Sequence, residues 1–161
     1  TVIDSGGLDL VRQAGGRTVI TPHYRELAGV LGADVAEVAR DPASWCARAC
    51  DQLGVTVLLK GTHTHVASPG GTRLVTGPAT GWLATAGTGD ALGGILGALL
   101  ATHSAAALED PELMPRLAAS AAHLHAAAAD LASAGGPLAA LDVAAAMPEV
   151  IAHLLRTHPH P

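Results

Sequence analysis

The sequence contains no phenylalanine, and its aromatic complement is Tyr24, Trp45 and Trp82. A chain this poor in rings cannot build the row of aromatic platforms on which successive bases of a single strand stack. Positive charge is scarce as well. One lysine, Lys60, and eight arginines stand against 14 acidic residues, for a net charge of −5. That balance offers no basic patch to a phosphate backbone, so nucleic acid is not an expected partner. Two cysteines, Cys46 and Cys50, are too few for the disulfide framework of a small secreted domain. They lie four apart in a helical stretch and read as two small buried hydrophobes on one face. No apolar run approaches the ~18 residues that span a bilayer; the longest covers residues 92–101. The opening residues do not read as a secretory leader, and none is expected. The expectation is a cytoplasmic protein with no membrane partner.

What is present is aliphatic. The 161 residues are 49% hydrophobic, which is enough for a core, and 34 are alanine. Such a core closes by packing Ala, Val and Leu between closely spaced helices. The first four residues, Thr-Val-Ile-Asp before Gly-Gly, read as the tip of a strand, and a further segment is expected upstream. Residues 17–21 form a β-branched run stopped by Pro22, leading into a helix over 24–31. Asp41-Pro42 starts a helix that Gly54 ends, and 55–60 is a continuous apolar strand of the kind buried on both faces. Two short strands, 64–68 and 72–76, flank Pro69-Gly70-Gly71 as a hairpin. An apolar helix follows over 90–102, and its Gly93, Gly94 and Gly97 imply a neighbouring backbone packed close. A long Ala-rich helix is expected over 110–133. Another is expected over 141–155, capped by Asp142 and interrupted near Pro148. Residues 156–161 read as a flexible tail whose histidines are solvated. The order is that of an α/β layered domain with a helical tail.

Three segments carry chemistry. Gly87-Thr88-Gly89-Asp90 stands where a loop turns into an apolar helix. The first amides of a helix have no internal partner, and with the helix dipole they form a seat for phosphate. An Asp there can take a proton from a hydroxyl; it can equally be an N-cap beside a glycine turn. Lys60-Gly61-Thr62-His63-Thr64 follows the buried strand, where ligands gather in open α/β sheets; a charged strand end is the plainer account. Thr21-Pro22-His23-Tyr24-Arg25-Glu26 follows another strand, with His23 and Glu26 three apart; a helix start with an acid in its first turn explains it as well. His63 and His65 would share a strand face, whereas His123 and His125, two apart on a helix, would not.

In combination the segments say more. Ile3-Asp4 with Leu8, then Thr-Pro-His-x-x-Glu, then Val-Leu-Leu-Lys-Gly-x-x-Thr, then Trp82-Leu-Ala-Thr-Ala-Gly-Thr-Gly-Asp-Ala-Leu-Gly-Gly-Ile occur in that order. This resembles the ADP/ATP-dependent NAD(P)H-hydrate dehydratase family, the carboxy-terminal type of domain in bifunctional nicotinamide nucleotide repair proteins. The resemblance runs over residues 2–155. It implies a ribokinase-like fold, a three-layer αβα sandwich around a mostly parallel sheet, with residues 1–155 the carboxy-terminal portion of one domain whose amino-terminal part is missing.

The implied activity is that of a lyase in metabolite repair. ADP or ATP phosphorylates the ring hydroxyl of hydrated NADH or NADPH, and loss of phosphate restores the reduced cofactor. By position, Asp90 would contact the hydrated ring and serve as the base, and His23 would touch the hydrated dinucleotide. Gly87, Thr88 and Gly89 would hold the phosphoryl group. Lys60, Gly61, Thr62, His63 and Thr64 would bind the adenine nucleotide, and Glu26 would organise a water on Mg2+. The resemblance also implies a homo-oligomer, and fusion to or association with an epimerase domain. Two departures stand out: Tyr24-Arg25 replaces the family's Pro-Gly, which adds charge beside the cleft, and family domains are much longer than this chain, in which Asp4 keeps only the first Asp of Asp-x-Asp-x-Leu. The alternatives are a small-molecule kinase of the same fold, acting on a vitamin precursor or sugar, and a non-catalytic nucleotide-binding copy.

Overall fold

A computed structural model describes residues 1–15 and 17–157. In chain order the elements are β1 (Val2–Ile3), a 3-10 helix (Ser5–Gln13), β2 (Val19–Ile20), α1 (Tyr24–Leu31), α2 (Val35–Arg40), α3 (Pro42–Leu53), β3 (Thr56–Leu59), β4 (Thr64–Ala67) and β5 (Arg73–Thr76). A second 3-10 helix (Gly81–Ala84) follows, then α4 (Thr88–Thr102), α5 (Ser104–Glu109), α6 (Leu113–Ser133) and α7 (Ala140–Thr157). The five strands form one sheet in the order β1-β2-β3-β4-β5. β1, β2 and β3 run parallel, and β3-β4-β5 continue as an antiparallel meander.

Strand alternation divides the core into two layers. Ile3, Ile20, Val57, Leu59 and Ala67 face the 3-10 helix, α1, α2 and α3, where Leu8, Leu27, Val38, Cys46 and Cys50 are buried. Val2, Val19, Leu58, Val66 and Leu74 face α4, α5 and α6, where Leu92, Leu96, Met114, Ala118 and Ala121 pack. β3 is buried along its whole length, as its unbroken apolar run requires. A third cluster joins α6 to α7 through Ala128, Ala129, Val143 and Val150. The alanine content thus serves close helix packing: Ala118, Ala121, Ala128 and Ala129 have no solvent exposure.

Helix boundaries follow local chemistry. Asp41 caps α3, accepting a hydrogen bond from the Ser44 amide at 3.2 Å, with Pro42 at the first position. Gly32 and Gly54 end α1 and α3 in the left-handed conformation.

Four expectations need correction. A Cβ at Gly93, Gly94 or Gly97 would meet nothing within 4 Å, so no backbone packs against α4 there. Their cost of about 1 kcal/mol each is offset instead by Leu92 and Leu96, whose burial stabilises by about 1.5–3 kcal/mol apiece. Pro148 lies inside α7 without interrupting it. Asp142 is in the first turn of α7, not at its cap, and its carboxylate accepts from the Ala139 amide at 2.7 Å. Arg156 and Thr157 belong to α7; the rest of the expected tail, with His158 and His160, lies outside the described residues.

No helix among the described residues is long and apolar enough to cross a membrane.

Candidate active site

Because β1, β2 and β3 are parallel neighbours, their carboxyl ends lie side by side. Each delivers a polar residue to the same edge: Asp4 after β1, His23 and Glu26 after β2, Lys60 after β3. A bridge between His23 and Lys60 carries the pairing to that edge. There a cavity of about 710 Å³ opens, lined as well by residues 76, 77 and 79–81, by α6 and by the start of α4. That volume suits a small-molecule ligand.

His23 is the N-cap of α1. Its Nδ1 accepts from the Glu26 amide at 3.0 Å, while its own amide donates to Glu26 Oε2 at 2.8 Å, a reciprocal capping box. An Nδ1 that accepts carries no proton, so in the neutral ring Nε2 is the N–H donor. The motif starts a helix and also brings a ring nitrogen and a carboxylate to the cavity.

Lys60 Nζ is 2.8 Å from Asp4 Oδ1 and 4.0 Å from Glu26 Oε2. Gly61, Thr62 and Thr64 also line the cavity, but His63 is exposed and does not. The chain turns at Thr62, so alternate residues part company. Gly77, at φ +123°, lays the following loop against this turn, and the Ala79 amide donates to the Thr62 carbonyl at 2.8 Å.

The start of α4 contributes the phosphate seat. Gly87 is left-handed at φ +87°. The Thr88 hydroxyl is committed inward, its single proton shared between the Leu83 carbonyl at 2.7 Å and the Thr85 carbonyl at 2.8 Å, and its amide donates to the Thr85 carbonyl at 3.3 Å. Thr88 therefore braces the loop, and its hydroxyl is not free for a phosphoryl group. The amides of Gly89 and Asp90 have no acceptor among the described residues, and both residues line the cavity.

Sequence reasoning missed two residues. Asp4 has a place in the sequence pattern but no role. His125 carries no role in the sequence reading, yet it lines the cavity from α6, 8% exposed, with no hydrogen-bond partner for Nε2 among the described residues. Burial pushes its pKa down; the Thr88 backbone works against this, and the Lys60 charge adds to it. The signal was its position in the buried stripe Ala118, Ala121, Ala122, His125, Ala128, Ala129 at three- and four-residue steps.

At the Tyr24-Arg25 departure from the family pattern, Arg25 is exposed and does not line the cavity. Tyr24 packs where a Cβ at Gly61 would collide with its hydroxyl, so the glycine makes room for the tyrosine.

The doubly covered α/β sheet, with a lysine, carboxylates and a helix N-terminus at its strand ends, is a domain of the class whose ligands gather at the carboxyl edge of the sheet. Comparison with known proteins agrees. The family model described as NAD(P)H-hydrate dehydratase matches residues 1–153, and the chain belongs to that family. The bifunctional NAD(P)H-hydrate repair enzyme Nnr of Mycobacterium tuberculosis is 42% identical over 108 residues, covering 63% of this chain and 22% of that protein. The ADP-dependent (S)-NAD(P)H-hydrate dehydratase of Neisseria meningitidis is 40% identical over 124 residues, covering 76% of this chain and 38% of that protein. The ADP/ATP-dependent NAD(P)H-hydrate dehydratase of Bacillus subtilis, co-crystallized with ATP and Mg2+, superposes with a TM-score of 0.80 at 29% identity, over 94% of this chain and 54% of that one. The chain thus spans about a fifth to two fifths of these two curated relatives and about half of the solved structure.

Proposed function

We propose that this chain is the carboxy-terminal portion, residues 1–155, of a ribokinase-like domain that dehydrates hydrated NADH or NADPH at the expense of ADP or ATP, as a cytoplasmic repair enzyme. The observation that carries the reading is the placement of Asp90. Its carboxylate rides on the first turn of α4, beside two unpaired amides and within one cavity with Lys60 and His23.

Asp90 accepts the proton of the ring hydroxyl. The freed oxygen pair attacks the terminal phosphorus of the nucleotide, and the bond to the departing AMP or ADP breaks. The Gly89 and Asp90 amides hold the equatorial oxygens, where charge accumulates. Gly87 shapes the turn, and Lys60 neutralises the same oxygens. Residues 61, 62 and 64 wall the nucleotide, and His23 offers its Nε2 proton to the dinucleotide. Phosphate is a far better leaving group than hydroxide. Its C–O bond then breaks, the neighbouring ring carbon releases a proton, and the ring double bond returns.

Among the described residues no cluster of three His, Cys, Asp or Glu forms a protein-built metal cage. Mg2+ is commonly held by one carboxylate, waters and the phosphates themselves. Glu26 fits that arrangement: it lines the cavity, and its Oε2 is taken by the His23 amide while Oε1 has no hydrogen-bond partner among the described residues. The ion would neutralise phosphate charge, with Glu26 holding one of its waters. In the same reading the full-length protein is a homo-oligomer that works with an epimerase domain.

The test mixes the protein with hydrated NADH, Mg2+ and either ADP or ATP, and follows near-ultraviolet absorbance. Nucleotide-dependent recovery of NADH is expected, and Asp90→Asn should lower it by at least ~10²-fold while both ligands still bind. A stable phosphorylated product without NADH would point to a small-molecule kinase. Binding with no turnover would point to a non-catalytic copy.

A further inference from the structure

Asp4 has no part in the chemistry just described, yet it touches the group that neutralises the phosphoryl oxygens. The Lys60 ammonium is the only lysine charge of the chain. Its side chain and that of Asp4 are each about one-fifth exposed, and their 2.8 Å contact joins residues 56 apart in sequence. The nearest other acid, Glu26, stands at 4.0 Å through Oε2, the oxygen that already accepts from the His23 amide. The pair also borders the start of α4. A Cβ at Gly89 would lie 3.5 Å from Lys60 Nζ and 3.6 Å from Asp4 Oδ2. One Asp4 oxygen therefore grips the ammonium while the other lies near Gly89, at the start of α4.

A lysine side chain has four rotatable bonds, and an unanchored ammonium samples many positions. A carboxylate at hydrogen-bond distance removes most of that freedom before any ligand arrives. The same carboxylate is an anion next to a seat for anions, so it must repel incoming phosphate. We propose that Asp4 is a positioning residue, which presets Lys60 at the α4 N-terminus for phosphoryl transfer and lowers nucleotide affinity in doing so. The proposal rests on the reading of this cavity as a nucleotide site.

Two consequences have opposite signs, and a purely structural ion pair would not produce that combination. Asp4→Asn keeps shape but removes charge. Mg-ADP and Mg-ATP should bind at least threefold tighter by calorimetry, while kcat for NADH recovery falls at least tenfold. Asp4→Glu, which keeps the charge on a longer arm, should recover part of kcat and return affinity toward the parent value.

A third measurement does not depend on turnover. With a single lysine, modification by the anionic reagent trinitrobenzenesulfonate followed by peptide mapping reads Lys60 alone. It should proceed at least fivefold faster in Asp4→Asn, and Mg-ADP should protect the parent. Equal modification rates in parent and variant would overturn the proposal, since the pair would then not constrain Lys60 in solution. An unchanged kcat would overturn it, as would binding and turnover falling together with a lowered Tm. A parent chain that binds no nucleotide defeats the functional reading and this proposal with it. A parent that binds and turns over normally while Asp4→Asn does the same defeats this proposal alone.

Discussion

Replacing Gly77 by alanine probes how the cavity wall is held. Gly77 has φ +123°, where an L side chain is strained by about 1–3 kcal/mol. An added Cβ would lie 2.6 Å from the Thr62 carbonyl oxygen and 3.2 Å from the His63 Cα. Both neighbours are backbone, so the loop or the β3–β4 connection must move. That movement endangers the hydrogen bond from the Ala79 amide to Thr62, which contributes about 0.5–1.5 kcal/mol. Together these give a loss of roughly 2–4 kcal/mol, or a Tm lower by on the order of 10 °C for a chain of this size. Gly81, four residues on in the same wall, is the control: a Cβ there meets nothing within 4 Å, and its φ is not positive. Gly81→Ala should change stability by less than ~0.5 kcal/mol. Urea denaturation with a common m-value measures both. Equal stabilities for the two variants would refute the claim that Gly77 is required for close approach. A destabilised Gly77→Ala with the parent's affinity for Mg-ADP would instead refute the reading of Ala79, Thr80 and Gly81 as a wall of the nucleotide site.

Burial pushes the Cys46 thiol up to about 12 and the Cys50 thiol to about 11, so native protein at pH 8 should be alkylated on the order of a hundredfold more slowly than protein in urea; rapid labelling of the native chain would contradict the packing of α3 on the sheet. His125 has a folded pKa below its unfolded value of about 6.5, chiefly through burial. The unfolded chain therefore binds more protons, and its contribution to stability is complete above about pH 6.5 and is lost as pH falls below that value. His65 works in the same direction, again mainly through burial. His125→Gln should flatten the fall in stability between about pH 6.5 and pH 5 in urea titrations, and an unchanged slope would show that His125 is not buried as a neutral ring.

Much of this protein was legible in local runs of residues. The helix Tyr24–Leu31 begins at a reciprocal His23–Glu26 cap and ends at a left-handed Gly32, signals complete within ten residues. The Pro-Gly-Gly hairpin, the buried strand and the glycine turn before Asp90 are of the same kind, because each depends on dihedral preference and alternation over a few positions. The helices Val35–Arg40 and Ser104–Glu109 were not legible, since six residues show too little of a helical period. They are held by tertiary burial of Val38 and Ala107. Within the site, residue types at the strand ends were readable, but their partners were not. Only the parallel order of β1, β2 and β3 brings Asp4 to Lys60, and only the packing of α6 on α4 brings His125 to the cavity wall. Thr88 and His63 looked equivalent to their neighbours until the turn of the chain sent one hydroxyl inward and left one ring in solvent. Short-range sterics and hydrogen bonding wrote the elements into the sequence. Which side chains meet across them was decided by the sheet order and by close packing, whose contacts join residues far apart in the chain.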